Sequence, residues 1–220
     1  MALSDTITRS DPIRRGGRPT RLAAAALGDK ILDVATDLFL SRGFGATSIE
    51  AVAGRARISK RTFYHRFRDK GELYTAVIRR LLQNWLPQFE AAFETPGPLD
   101  AVLERLAKRM LAVATSPQAL ALRRLLLAEA ERFPELVAIA IEQGATHAIK
   151  RITALLENER RDGRIALDDC RFAAMQFQEM VLSIPLRRAM GFGAPLSESE
   201  CDEWAVKCVA LFMRGCRAPS

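Results

Sequence analysis

Apolar residues recur at intervals of three and four along almost the whole chain, the period of helices packed on one side. Long alternating β-branched runs and Asn-Gly turns, the marks of strands and hairpins, are absent from the sequence. The pattern therefore predicts an all-α fold. Ile31, Ala35, Leu38 and Phe39 share one face of a first helix running from about Thr20 to Arg42. Gly43 suits its end, since glycine accepts the left-handed conformation found after helices. Thr47-x-x-Glu50 reads as a capping box opening a short second helix, with Ile49, Val52 and Ala53 on its buried face. The segment from Gly54 through Ile58 turns the chain, and Ser59 caps a third helix reaching about Phe67.

Asp69-x-x-Glu72 is a second capping box, and it opens a long fourth helix carrying Leu73, Val77, Leu81, Leu82, Trp85, Phe89 and Phe93. Pro87 should bend or break that helix, and Thr95-Pro96-Gly97-Pro98 should end it. Helices over about 99–115 and 117–132 follow, the second opened by Ser116-Pro117 as cap and first-turn proline. Pro134 opens a long helix to about Arg161, and Arg161-Asp162-Gly163-Arg164 is a turn. The last two helices should span about 168–190, kinked at Pro185, and 197–215, opened by the capping box Ser197-x-x-Glu200.

Charge divides this helical chain into two parts. Residues 1–80 hold 16 Lys+Arg against 8 Asp+Glu, whereas residues 81–220 hold 17 against 18. The whole net charge of +7 therefore sits in the first third, which favours an anionic partner there and a different task for the near-neutral body. The polar N-terminus has no apolar signal core, and no run of about 18 apolar residues occurs, so neither export nor a membrane span is expected. Cys170, Cys201, Cys208 and Cys216 form no Cys-x-x-Cys pair. A reducing cytoplasm fits best, with the cysteines as small buried apolar residues.

The basic third also carries the most specific pattern. A DNA-reading helix needs short polar and basic side chains at its N-terminal end to reach base edges, while neighbours grip phosphate. Ser59, Lys60, Arg61 and Thr62 meet that need. Phe63 and Phe67, four apart, would pack back on the first two helices and leave Tyr64 and His65 toward the DNA. Lys70 in the first turn of the fourth helix, and Thr47 and Ser48 at the start of the second, suit phosphate. Arg57 reads either as a backbone contact or as a solvated side chain.

These residues resemble the TetR family of bacterial transcriptional regulators. The resemblance runs in order and spacing through Ile31–Ala35, Leu38-Phe39, Gly43-Phe44, Thr47–Ile49, Val52-Ala53, Ile58–Lys60, Thr62–Phe67 and Lys70–Leu73. It implies a three-helix DNA-binding domain leaning on a long fourth helix, in a homodimer that binds a palindromic operator. Such proteins are usually repressors released by a small ligand. By resemblance, phosphate contacts fall on Thr47, Tyr64, His65 and Lys70, and base contacts on Lys60, Arg61 and Thr62. Many members have glycine where Arg61 stands; an arginine fork there can read a guanine. The arm Arg14-Arg15-Gly16-Gly17-Arg18-Pro19 is similar to the family's basic tails, and Arg18 is a candidate for the minor groove. The expected division is a flexible basic arm over 1–19, a helix-turn-helix domain over 20–68, and a regulatory and dimerisation domain over 69–220.

Within the third part, Arg123–Leu136 resembles the AefR-like C-terminal domain subgroup. Family architecture puts a ligand cavity inside the fourth to eighth helices, with Trp85, Phe89, Met110, Phe133, His147, Met175, Phe177 and Met180 as candidate lining residues. Phe172, Met175, Phe177, Met180, Leu182, Trp204, Val206, Val209, Leu211 and Phe212 on the last two helices exceed one buried face, which fits a four-helix dimer interface. A non-specific DNA-packaging protein is one rival, but it would carry charge over its whole surface, whereas here the body is near neutral. An enzyme is the main rival class. No nucleotide-binding glycine loop, no His-Glu-x-x-His and no paired cysteine ligands are present, and only two histidines exist, so neither a catalytic centre, a metal nor a cofactor is expected.

Overall fold

A computed structural model describes residues 21–216, so the arm and Arg18 lie outside the described residues. Among the described residues there are helices and no strands: α1 (Arg21–Ala46), α2 (Ile49–Ala56), α3 (Lys60–Tyr64), α4 (Lys70–Glu94), α5 (Leu99–Ala114), α6 (Pro117–Ala128), α7 (Pro134–Ile141), α8 (His147–Arg161), α9 (Cys170–Ala189) and α10 (Glu198–Gly215). The fold is all-α, as the periodicity predicts.

Most helix ends follow the local chemistry. Gly43 leaves the helical conformation at φ 82°, ψ 169°, so the regular part of α1 ends there and a short helical turn follows. Ser59, Ser116 and Ser197 each accept a bond from an amide of the first turn they precede. Ser197 and Glu200 close the full reciprocal box. Other ends differ from expectation. Ser48 rather than Thr47 caps α2, accepting from the Ala51 amide at 3.1 Å. Asp69 caps α4, but the Glu72 carboxylate reaches the amide of Arg68, one residue further out. The turn after α2 centres on Arg57, which is left-handed at φ 55°, ψ 50°; Gly54 remains inside the helix. Helices α4 and α9 run on through Pro87 and Pro185. The long helix expected from Pro134 is instead α7, a π-helical turn over Glu142–Thr146, and α8.

Two apolar clusters organise these helices. The first joins Ile31, Phe39, Phe44, Val52, Phe63 and Phe67 to Leu73, Tyr74, Val77, Ile78 and Leu81 of α4. Leu122, Leu125 and Leu136 from α6 and α7 complete it, so it draws on residues well beyond position 68. The second is built around α5, which packs on α4, α9 and α10. Leu99, Leu103, Leu106, Met110 and Leu111 recur at helical spacing on α5 and are buried. Each such fully buried leucine contributes roughly 1.5–3 kcal/mol. Helix α4 passes from one cluster to the other and so sets one against the other.

Candidate nucleic-acid interface

The third helix is a short lever held from behind. Phe63 is fully buried and Phe67 nearly so, with ring centroids 5.8 Å apart. They anchor α3 in the first cluster and turn its other side outward. On that side Lys60, Arg61, Tyr64 and His65 are exposed and Thr62 is half-buried. Tyr64 is 53% exposed and meets Phe63 edge-on. Ser59, Arg61, Thr62 and His65 line a shallow open concavity of about 440 Å³. The Ser59 and Thr62 hydroxyls lie 2.9 Å apart, and the Thr62 amide donates to Ser59 Oγ. One cap therefore holds both hydroxyls in place at the start of the helix.

Lys60 is not free. Its Nζ lies 2.5 Å from Glu50 Oε1 of α2. That contact raises the Lys60 pKa and lowers that of Glu50, the shared hydrogen bond being the main cause in both. Glu50, expected to close a capping box, instead faces outward and holds a base-contact candidate. The guanidinium of Arg61 has no carboxylate partner among the described residues.

The side chains of two expected phosphate contacts are engaged within the protein. Thr47 is only 1% exposed, and its hydroxyl donates to the carbonyls of Gly43 at 2.9 Å and Leu38 at 3.2 Å. It ties the end of α1 to the start of α2 and does not present its side chain to an anion; the neighbouring Ser48 is the exposed hydroxyl. Lys70 is half-buried, and its Nζ donates to the carbonyls of Phe44 at 2.8 Å and Thr47 at 2.9 Å. It also sits 4.2 Å over the Phe44 ring. Burial, and then the nearby Arg132 guanidinium, push this ammonium below the ordinary lysine range. Lys70 thus fastens the loop before α2 instead of pointing a free charge outward.

The eight candidate pocket residues are not brought together in one cavity. Trp85 and Phe133 pack on the first cluster. Phe89, Met110, Phe177 and Met180 belong to the second. Met175 is 42% exposed on the outer side of α9. His147 opens α8 and bonds Glu90 Oε1 at 2.6 Å, and Glu90 also meets Arg151 at 3.0 Å. An open cleft of about 650 Å³ lies elsewhere, between the end of α4, α5 and the start of α10, with Arg105, Lys108 and Arg109 on its wall. Two of those cations are engaged: Lys108 with Asp202, and Arg105 with the Thr95 carbonyl. Sequence reasoning missed Gln178, a buried amide on α9 whose Oε1 has no partner among the described residues. The spacing Ala174, Phe177, Gln178, Val181 was the signal that it faces inward.

The cysteines behave as small apolar residues. Cys170, Cys208 and Cys216 are buried. Burial raises the thiols of Cys201 and Cys208 and pushes Cys216 up to about 11, away from the reactive thiolate form. No helix among the described residues is long and apolar enough to cross a membrane.

A buried-backed basic helix, preceded by a second helix across a tight turn and set on an all-helical body, defines a helix-turn-helix DNA-binding protein. Residues 31–77 match the family described as bacterial regulatory proteins, tetR family, and residues 101–217 match the AefR-like transcriptional repressor C-terminal domain. The chain belongs to the TetR family of bacterial regulatory proteins. It is 34% identical over 107 residues to the HTH-type transcriptional regulator RutR of Escherichia coli K12, which is 49% of this chain and 50% of that protein. It is 32% identical over 96 residues to the HTH-type transcriptional activator FasR of Mycolicibacterium smegmatis, covering 42% of this chain and 44% of that one. The chain thus spans about half the length or less of these curated relatives. Solved structures align more fully. A TetR-family regulator from Mesorhizobium loti MAFF303099 is 29% identical with a TM-score of 0.77, covering 90% of this chain and all of that one. The flavonoid-responsive regulator FrrA is 27% identical with a TM-score of 0.74, covering 89% of this chain and all of that one.

Proposed function

We propose that this chain is a repressor that binds a palindromic operator as a homodimer and is released by a small molecule. The observation that carries the reading is the outward face of α3: Lys60, Arg61, Tyr64 and His65 exposed together over a buried Phe63. In this reading Ser59, Lys60, Arg61 and Thr62 meet base edges, while Ser48, Tyr64 and His65 meet phosphate. Homodimerisation is supported by an unpartnered apolar surface on the last two helices. Phe172, Met175, Ile184, Val206 and Leu211 are 59%, 42%, 40%, 41% and 61% exposed. Two copies related by a two-fold axis would cover these residues and set two α3 helices on one DNA face. The AefR-like C-terminal match supports repression, and the flavonoid-responsive neighbour supports a small-molecule effector. Activation is the second reading, favoured by the relative named as an activator.

Selection of genomic fragments by the purified protein, followed by in vitro transcription from the selected promoters, tests both. An inverted repeat overlapping the promoter, with transcription lowered by added protein, is expected. Raised transcription favours activation. Recovery of fragments with no shared inverted repeat overturns the operator reading altogether.

A further inference from the structure

An elbow of the C-terminal body reaches into the DNA-binding unit. Helix α6 ends at Ala128, and the segment to Pro134 folds back through bonds from the Arg132 and Phe133 amides to the Glu129 carbonyl. Phe133 then projects into the first cluster. Its ring lies 4.9 Å from Phe44 and 5.3 Å from Tyr74, and those two lie 4.9 Å from each other. Phe39 closes the group at 5.8 Å from Phe44 and 5.3 Å from Tyr74. The Arg132 guanidinium sits 4.8 Å over Phe44. Gly71, in the first turn of α4, lies beside this ring: a Cβ there would be in ordinary van der Waals contact with it at 3.5 Å.

Phe44 is the residue all of these grip. It begins the short stretch that leads into α2, and Lys70 holds the carbonyls of Phe44 and Thr47 from below. Ser48 caps α2 directly after, and α2 packs on α3. The position of the DNA-reading helix therefore depends on a loop clamped from two sides: by Lys70 of α4, and by Arg132 and Phe133 from almost 90 residues further along the chain.

We infer that Arg132 and Phe133 are positioning residues for DNA binding, acting through Phe44 to hold the start of α2. The inference rests on the DNA-binding reading of α3. Packed aromatic pairs are stiff and individually favourable, so removing one partner loosens the others. None of these side chains touches DNA in this reading; they fix the angle from which α3 approaches it.

The test uses the full-length protein and an operator fragment that it has itself selected. The variants are F133A, F133L and R132Q, with L106A in the second cluster as a destabilised control. Arg132 is exposed, so R132Q keeps a folded protein available even if F133A fails to fold. Binding is measured well below each melting temperature. F133A is expected to weaken operator binding about tenfold, R132Q less and F133L least. L106A, despite its lower melting temperature, is expected to bind as the unaltered protein does. Amide hydrogen exchange at residues 44–50 is expected to quicken in F133A and R132Q while α9 and α10 stay unchanged. Unaltered operator affinity in R132Q and F133L, or loss in L106A equal to that in F133A, overturns the inference. Failure of the unaltered protein to select any sequence would instead sink the DNA-binding reading on which it rests.

Discussion

The two apolar clusters solve different problems with different residues. The first is the more aromatic: Phe39, Phe44, Phe63, Phe67 and Tyr74 sit among its aliphatic residues, with Phe133 added from the body. The second is mainly aliphatic and small, with Leu103, Leu106, Ala107, Ala174 and Val181 around the single buried aromatic pair Phe177 and Phe212. Their outer surfaces differ in the opposite sense. Around the first, the exposed side chains are cationic and polar, and all of the chain's charge excess lies in that third. Over the second, α9 and α10 expose Phe172, Met175, Val206 and Leu211. A small unit that must present a wet, charged face has few residues left for its core, and large rings fill it with the fewest positions. A body with more helices can build its core from leucine and alanine and still leave apolar residues outside.

The contrast is sharpest in the largest predicted effect. F63A should destabilise the protein by about 3–5 kcal/mol and abolish operator binding, because the ring both fills the first cluster and backs the reading face. L106A should cost about 2–5 kcal/mol in urea denaturation yet leave binding intact in protein that remains folded. If F63A protein, held folded at low temperature, still binds its operator, the backing role is wrong.

The outer surface of the second cluster is probed next. Placing charge there with F172E and L211E should turn the dimer into a monomer at micromolar concentration by sedimentation. Helix content should be retained, since both side chains are already exposed. A dimer of unchanged stability would mean that another surface pairs the chains.

Smaller changes test the reading face itself. K60A and R61A should each remove about 1–3 kcal/mol of discrimination between operator and a single-base variant. Equal loss on operator and random DNA would assign both to phosphate. K70A should behave differently from a phosphate contact: its ammonium is engaged by carbonyls, so both stability and operator affinity fall while the salt dependence stays the same. A flattened salt slope would restore the phosphate role.

The smallest expected effect is a gain. Arg57 is a non-glycine residue in the left-handed region, at the turn between α2 and α3. R57G should therefore raise stability by about 1 kcal/mol. A loss on thermal melting would show that the arginine side chain contributes more than its backbone strain costs.

Much of the fold was legible because its causes are local. Three- and four-residue spacing marked the helices, and the serines before α3, α6 and α10 marked their starts. Gly43 marked the end of α1. The buried pair Phe63 and Phe67, and hence the outward face of α3, followed from spacing alone. The errors share a different cause. Thr47 precedes a helix by the right number of residues for a cap, but Ser48 competes for that place, and the buried carbonyl of Leu38 engages the threonine. The pocket candidates share a residue type, and type does not say which of two clusters a side chain joins.

By itself the sequence determined the helices, most of their caps, the basic first third and the outward face of α3 that is proposed to read DNA. All of these depend on residues within a few turns of one another. Tertiary structure alone decided that Lys70 grips a loop, that Glu50 holds Lys60, and that Phe133 leaves its own domain to pack on Phe44. Lys70 and Phe133 meet groups more than 20 residues away, and Glu50 meets Lys60 across the turn between two helices. Such contacts are settled by how helices cross, and periodicity within a single helix carries no record of that.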